Sequence, residues 1–324
     1  MAIFTGTGTR YDAQGLRESL ADIISDISPE QTPFFSGAGT GPKARQTLVE
    51  WQTDTLAAAA ANAVVEGNDS TFAVPSATKR VGNQTQISEK TLILSDTLEV
   101  VDKAGRKSEL ARLIAKFGKE LKRDIEFISL SAQGGAGGSS TVARTVASLG
   151  AWLQTNTNFD ATSGADPTYT SGVPLAARTD SSAQRAFTET ILKDVISQGF
   201  TAGAEFSTLM VGPFNKTVVS GFAGIATRNF DLSNVSPRAT AIIASADVYV
   251  SDFGTLRVIP NRFQRERDAW MLDWNMVSYS FLRPFQTRKL AKTGDAEKRL
   301  LNVEWTIRVE NEAAHGIAAD LTTS

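Results

Sequence analysis

Cysteine is absent from this sequence of 324 residues, and histidine occurs once, as His315. A chain without cysteine forms no disulfide bonds and offers neither a thiolate nucleophile nor sulfur ligands for zinc or iron. A single histidine is too few for a multi-histidine metal site. Cysteine-based catalysis and both kinds of metal centre are therefore excluded, while the redox compartment stays open.

Long apolar runs and an excess of one charge are also missing. No stretch of about 18 consecutive apolar residues occurs, so the sequence contains no candidate membrane span. Its first residues lack the basic and apolar segments of a secretory signal. The formal net charge of −2 leaves no global cationic field to gather nucleic acid or anionic membrane. Any contact with nucleic acid is expected to be local.

The sequence pattern changes several times along the chain. Residues 1–45 are interrupted by glycine and proline, leave room only for a short helix around 16–27, and are predicted to form an arm. Residues 134–182 are rich in Ser, Thr, Asn and Gly and are predicted to be an insertion or extended loop. Helical and strand patterns alternate over 183–246, which predicts a compact α/β subdomain. Two subdomains also fit the length, because single cores rarely exceed about 250–300 residues.

Residues 46–90 are predicted to form a projecting β-hairpin. Residues 46–54 alternate in the manner of a strand, whereas the run 79–90 is polar on both faces. A strand with two polar faces does not belong to a packed core, and a two-stranded hairpin is marginal in isolation. We therefore expect this hairpin, with its flexible tip at 56–78, to rest on another molecule.

A long one-sided helix and a late strand are predicted to form a platform. Apolar residues recur at spacings of three and four from Leu110 to Ile128, after a start signal at Ser108. Residues 303–309 alternate between apolar and polar, which predicts a strand with one buried and one wet face. The helix stripe is expected to cover the apolar face. The predicted core residues are Leu110, Phe117, Leu121, Ile125, Trp305 and Ile307.

Further helices are predicted at 187–196 and 214–225, and further strands at 209–211, 241–243, 248–250, 256–259, 270–272 and 277–282.

Two short motifs have a chemical and a structural interpretation. Asp252-Phe253-Gly254 matches the metal-binding triplet of protein kinases, but it lies between two predicted strands and no phosphate loop accompanies it. A hairpin turn accounts for it. The glycine run 134–138 follows a helix, whereas a phosphate cradle follows a strand and opens a helix. A flexible linker is the favoured interpretation of that run.

The remaining polar residues do not form a recognisable active site. His315 and Asp320 lack a nucleophile-elbow motif, so the histidine is interpreted as structural or solvent-facing rather than catalytic. Acidic neighbours interrupt the arginines at 262, 265 and 267, which favours salt bridges over a nucleic-acid patch. Glu304, Glu310 and Glu312 are interpreted as a solvated strand face, with weak cation binding near Asp295 as the alternative. No catalytic, cofactor-binding or metal-binding residue is predicted.

The order of these parts resembles the major capsid proteins of tailed bacteriophages, which have the Hong Kong 97-type fold. Four local sequences add to the resemblance: EWQTD at 50–54, EG at 66–67, KELKRDIE at 119–126 and LAKTGD at 290–295. The resemblance implies an α+β fold in five parts. These are an N-terminal arm (1–45), an extended β-hairpin loop (46–90), a peripheral domain (91–182 and 247–324), its spine helix (104–133) and an inserted α/β axial domain (183–246).

The resemblance also implies a function. Copies of the chain are expected to assemble as hexamers and pentamers into an icosahedral shell around double-stranded DNA, which they contact non-specifically. A separate scaffolding protein and a portal are the further partners, no membrane is involved, and the subunit is made in the host cytoplasm and ends in the virion. The loop residues expected at subunit interfaces are Trp51, Asp54, Val64, Val65, Glu66, Phe72, Val74 and Arg80.

Two alternatives remain open at this point. A bacterial encapsulin, which encloses cargo instead of a genome, has the same fold, and the absence of a neighbouring terminase gene would favour it. An enzyme on an unfamiliar α/β scaffold is the alternative from another class. A well-formed pocket with converging polar groups would support the enzyme.

Overall fold

The computed structural model of the chain describes residues 28–69, 72, 74–102, 107–222 and 247–324. Its α-helices are α1 (Pro33–Gly37), α2 (Asp96–Val100), α3 (Glu109–Ser129), α4 (Glu189–Ala202) and α5 (Pro213–Ser220). Its strands are β1 (Gly39–Thr40), β2 (Leu48–Thr53), β3 (Lys79–Gln84), β4 (Gln86–Ser95), β5 (Thr157–Asn158), β6 (Tyr169–Thr170), β7 (Val173–Pro174), β8 (Thr208–Val211), β9 (Val248–Ser251), β10 (Gly254–Pro260), β11 (Ala269–Leu272), β12 (Val277–Lys289), β13 (Ala296–Val309) and β14 (Gly316–Ala318). The helix predicted near 16–27 and the strand predicted at 241–243 lie outside the described residues.

Two larger sheets organise the described residues. The first has four strands in the order β1-β12-β13-β4, and the second has six in the order β5-β14-β11-β8-β10-β9. Strands β2 and β3 form a separate antiparallel pair, as do β6 and β7. Helices and sheets are mixed in the α+β manner that the sequence predicts. Among the described residues, no helix combines the length and the apolar content that a membrane crossing requires.

Helix α3 begins where its sequence signal predicts. The Ser108 hydroxyl accepts a hydrogen bond from the Ala111 N–H at 3.1 Å, which caps the first turn of the helix. Leu121 and Ile125 are buried in one hydrophobic cluster with Trp305 and Ile307, so the helix stripe meets the strand as predicted.

The prediction of core positions is wrong at the other end of that helix. Leu110 and Phe117 are only half-buried. Apart from Glu109, the buried residues of α3 all lie from Leu121 onward, so only its second half covers the core.

From Leu301 to Ile307, strand β13 is buried on both faces, which contradicts the predicted wet face. Glu304 and Thr306 are buried like Trp305 between them. Residues 144–153 provide the cover, because Arg144 forms an ion pair with Glu304 and Val146, Ala147 and Leu149 join the main core cluster. The stretch interpreted as an insertion is thus a part of the core.

The glycine run is closely packed and is not a flexible linker. A Cβ atom on Gly134 would lie 2.2 Å from the Leu175 carbonyl oxygen. Gly138 has a φ of +68°, and a Cβ atom there would lie 2.8 Å from the Val142 carbonyl oxygen. Glycine is needed at these positions because the backbone comes too near for any side chain.

The second sheet forms the α/β unit. Helix α4 is capped by the Thr188 side chain and ends at Gly203, whose φ is +89°. Its residues Leu192, Val195 and Ile196 pack in one cluster with Leu209 of the fully buried strand β8. Strands β9, β10, β11 and β14 belong to the same sheet although they follow residue 246. The predicted boundary between 246 and 247 therefore divides a continuous sheet.

Candidate functional site: the projecting loop and its root

The projecting part of the molecule is the loop between β2 and β3, residues 54–78. Every described residue in this range is exposed. Its apolar side chains include Leu56 and Phe72, which are 100% and 97% accessible to solvent, together with Val64, Val65 and Val74. An exposed apolar surface of this kind is a candidate interaction site.

The loop is also acidic. Residues 54–78 contain Asp54, Glu66 and Asp69 and no lysine or arginine. The first cations follow at Lys79 and Arg80, and the Arg80 guanidinium lies 3.2 Å from the Glu50 carboxylate. This exposed pair contributes little to stability, because water screens it.

Seven of the eight predicted interface residues are exposed, and one is not. Asp54, Val64, Val65, Glu66, Phe72, Val74 and Arg80 all face solvent in the subunit. Trp51 is buried: its ring stacks on Trp152 with centroids 5.3 Å apart, and the Arg308 guanidinium lies 5.5 Å from its centre. Trp51 therefore belongs to the subunit core, since alternation along β2 turns it inward.

The part of the return strand that lies outside the four-stranded sheet is shorter than predicted. Strand β3 pairs with β2 from Thr53–Lys79 to Leu48–Gln84, and from residue 86 the chain joins the four-stranded sheet as β4. Asn83 and Thr85, predicted to be on a polar free strand, are buried. The Asn83 amide bonds to the backbone of Ala147 and Ile307, so its polar atoms are satisfied inside the core.

The arm is predicted to have few contacts, but its described part is anchored to the rest of the subunit. Phe34 is fully buried against Trp274 and Tyr279. Helix α1 has no side-chain cap of its own, and the Glu126 carboxylate accepts the N–H groups of Phe34 and Phe35 at 2.8 and 2.6 Å. No local sequence pattern points to a role for Glu126, because Phe34 and Phe35 lie about 90 residues away in the chain.

Glu126 is a buried carboxylate held by three donors. The Asn261 side-chain amide donates to it at 2.6 Å, in addition to the two backbone N–H groups. Burial raises the pKa of Glu126, and the three hydrogen bonds oppose that rise by stabilising the charged form. The carboxylate thus joins the arm, the spine helix and strand β10's end.

Other polar groups have structural roles. Asp252 and Phe253 form the predicted turn between β9 and β10. Arg265 and Arg267 both form ion pairs with Asp180, as the salt-bridge interpretation predicts. Within the described ranges, no group of three or more His, Cys, Asp or Glu residues is placed to hold a metal ion.

His315 is fully buried and structural. Its Nε2 lies 3.3 Å from the Met276 carbonyl oxygen, and its Nδ1 accepts the Asp273 N–H at 3.4 Å. These partners fit a neutral ring that donates from Nε2. Burial lowers the pKa of His315 from 6.5 to about 4.

The lowered pKa of His315 predicts a loss of stability in acid. At about one pH unit or more above 6.5, the ring is neutral in both the folded and the unfolded chain, so it contributes no pH dependence there. As the pH falls from about 7 to about 5, mainly the unfolded chain takes up this proton, and the contribution of His315 to the free energy of unfolding should fall by about 2 kcal/mol. Urea titrations at the two pH values measure this change.

The matched control is His315→Gln, which removes the titrating group. The pKa of Asp268 is raised by burial to about 6, so that carboxylate acts in the opposite direction as the pH falls. Only the difference in slope between wild type and His315→Gln isolates the histidine. Equal slopes would show that His315 does not remain neutral in the folded subunit.

The chain is similar to known capsid proteins over nearly its whole length. The model of the family "SU10 major capsid protein" matches residues 3–322. The major capsid protein of Escherichia phage Phieco32 is 28% identical over 355 residues, with 95% of each protein covered.

Solved structures share the fold at low sequence identity. The capsid asymmetric unit of cyanophage A-1(L) has a TM-score of 0.66 at 11% identity, and the match covers 95% of this chain and 98% of that chain. The SrpI encapsulin of Synechococcus elongatus PCC 7942 has a TM-score of 0.54 at 8% identity, with 96% and 94% covered. The predicted Hong Kong 97-type fold is thus confirmed. Because the family model matches residues 3–322, this chain belongs to the SU10 major capsid protein family, whose members form the shells of tailed phages.

Proposed function

We propose that copies of this subunit assemble as hexamers and pentamers into an icosahedral shell around double-stranded DNA, and that residues 54–78 make contacts between them. The observation that carries the proposal is the row of solvent-exposed apolar side chains along a loop without a core of its own. Transfer of such side chains from water is favourable by roughly 25 cal/mol per Å² of apolar area. A neighbouring subunit provides the surface that this chain lacks.

The size of the loop fits a permanent interface. Obligate interfaces commonly bury about 2,000 Å² or more. A long projecting loop adds area by lying across its neighbour. The exposed residues proposed to make these contacts are Asp54, Val64, Val65, Glu66, Phe72, Val74 and Arg80.

The domains and partners follow from the same proposal. The four-stranded sheet with α3 is the peripheral domain, and the six-stranded sheet with α4 and α5 is the axial domain, extended past residue 246 by its strands. A separate scaffolding protein, a portal and non-specifically bound DNA complete the assembly. The subunit is made in the host cytoplasm, performs no catalysis and ends in the virion.

The contents of the shell separate this proposal from the encapsulin alternative. Encapsulins share the fold, as the SrpI similarity illustrates. The family match supports a genome-containing shell, and the weak global charge of the chain supports contacts to DNA that are few and local.

Light scattering and electron microscopy of the purified chain, expressed with and without the scaffolding protein of the same phage, test the assembly. We expect uniform closed particles. Virions treated with DNase should retain double-stranded DNA inside shells that contain this chain. A subunit that stays monomeric at all concentrations, with scaffold present, would contradict the assembly, and shells filled with protein cargo would favour the encapsulin alternative.

A further inference from the structure

The segment 134–182 holds the root of the loop at several points. Ala147 exchanges backbone hydrogen bonds with the Asn83 amide at 2.9 and 3.0 Å. The Arg144 Nε donates to the Thr85 carbonyl oxygen at 2.7 Å. Both partners lie at the end of β3, where the chain turns from the loop into the four-stranded sheet. The return strand is therefore fixed from one side before it enters the sheet.

A tight hairpin, formed by β6 and β7, holds the same strand nearer to the loop. Strands β6 and β7 enclose Ser171 and Gly172, and the Gly172 carbonyl oxygen accepts the Gly82 N–H at 3.1 Å. Gly172 has a φ of +79°, and a Cβ atom there would lie 2.1 Å from the Arg80 carbonyl oxygen. Only glycine permits this approach, so the hairpin rests directly on the backbone of β3.

An aromatic stack fixes the other strand of the root. Trp51 of β2 stacks on Trp152, and the Tyr169 ring packs edge-on against Trp152 at a centroid distance of 5.7 Å. The Tyr169 hydroxyl donates to the Trp152 carbonyl oxygen. The segment thus holds β2 by side-chain stacking and β3 by backbone hydrogen bonds.

We propose that residues 144–153 and 169–174, together the brace, set the direction in which the loop leaves the subunit and so position it for assembly. The proposal rests on the assembly role of the loop proposed above. The proposal gives a function to part of the segment 134–182, in which the sequence shows the least regular apolar pattern. Tyr169 and Gly172 are positioning residues, because they act on the loop through β2 and β3.

A lever effect makes the direction of the root important. From Thr53 to Val65 a fully extended chain spans up to about 40 Å. A tilt of about 10° at the root then moves the far end by up to about 7 Å, which exceeds the reach of a side-chain contact. Because the described residues of the loop have no buried contact that corrects its course, the direction in which the loop leaves the free subunit depends on its root.

Gly172→Ala tests the brace, with Gly203→Ala as the matched control. Both glycines have a left-handed φ, at +79° and +89°, so alanine strains both backbones. Only at position 172 does the new methyl group meet β3, since nothing lies within 4 Å of a Cβ atom at Gly203. The comparison separates loss of the brace from general strain.

Two readouts are needed, one on free subunits and one on particles. Loss of the Gly82–Gly172 hydrogen bond should speed hydrogen exchange in peptides covering 79–86 by about tenfold in Gly172→Ala, and leave Gly203→Ala like wild type. Electron microscopy should show few particles, or particles of mixed diameter, for Gly172→Ala alone. Faster exchange with wild-type particles, or unchanged exchange, would overturn the proposal.

A second variant covers the case in which Gly172→Ala does not fold. Tyr169→Phe removes only the hydroxyl bonded to Trp152 and keeps the stacked ring, so a milder change in the same direction is expected in both readouts. Wild-type exchange and particles in this variant would then count against the brace. A wild-type chain that forms no particles would overturn the proposed function, whereas the exchange measurement on free subunits would still decide whether the brace holds the root.

Discussion

A subunit without residues 57–74 is expected to fold and to form no shells. Joining Leu56 to Pro75 leaves a short connection between Thr53 and Lys79, which are paired across β2 and β3. The deletion removes no buried side chain among the described residues of the loop. The thermal unfolding temperature should therefore change little, while the apolar contacts proposed between subunits are lost completely.

The control keeps the length of the loop and changes its chemistry. Serine at Val64, Val65 and Phe72 removes three of the five large apolar side chains exposed on the described part of the loop, without shortening the chain. We expect this variant to assemble poorly, with at least a tenfold lower yield of particles at equal subunit concentration. Particle yield is measured by sedimentation and electron microscopy, and folding by circular dichroism. Normal shells from the deletion variant would show that residues 57–74 are dispensable for assembly, and an insoluble variant would show that they belong to the fold.

Regular amphipathic segments are the part of this fold that the sequence predicts well. Ser108, Leu121 and Ile125 lie where helical periodicity places them, and Trp305 and Ile307 lie opposite them. The signals are strong because a one-sided helix or strand must bury one face, and the period of the pattern identifies that face. The exposure of the loop tip could be predicted for the converse reason, since it offers no buried face.

The core contribution of residues 144–153 could not be predicted in this way. Ala147 and Trp152 are buried in an irregular segment, where no period links neighbouring apolar residues. The sequence pattern places Asn83 and Glu304 on exposed faces because they are polar, yet each is buried with partners distant in the chain. Single-sequence patterns describe local order, so polar residues satisfied by long-range contacts give no signal.

Glu126 belongs to this class of residue, and its removal is expected to have the largest effect on stability. It lies on the predicted spine helix at the end of the charged run 119–126, where a carboxylate is ordinarily solvated. In the fold its side chain is the N-terminal cap of α1, which ties the arm to the spine. Glu126 is therefore one of the anchors that hold residues 28–44 on the subunit, beside the buried ring of Phe34 and the pairing of β1 with β12.

Glu126→Ala should lower the free energy of unfolding by about 3–5 kcal/mol at neutral pH. The substitution leaves the N–H groups of Phe34 and Phe35 and the amide of Asn261 without their acceptor in a site closed to water. Each buried polar group without a partner costs about 1–3 kcal/mol, so three donors that lose their acceptor together cost about 3 kcal/mol or more. Urea titration measures the change.

Glu120→Ala is the matched control, because it makes the same substitution on the same helix. Glu120 is partly exposed, and its carboxylate lies 3.8 Å from the Lys116 amine, so its loss should cost less than about 1 kcal/mol. Hydrogen exchange at residues 33–38 shows whether the arm alone is released in Glu126→Ala or the whole subunit is weakened. A cost for Glu126→Ala as small as that for Glu120→Ala, with protection of residues 33–38 unchanged, would show that the arm is held without this carboxylate.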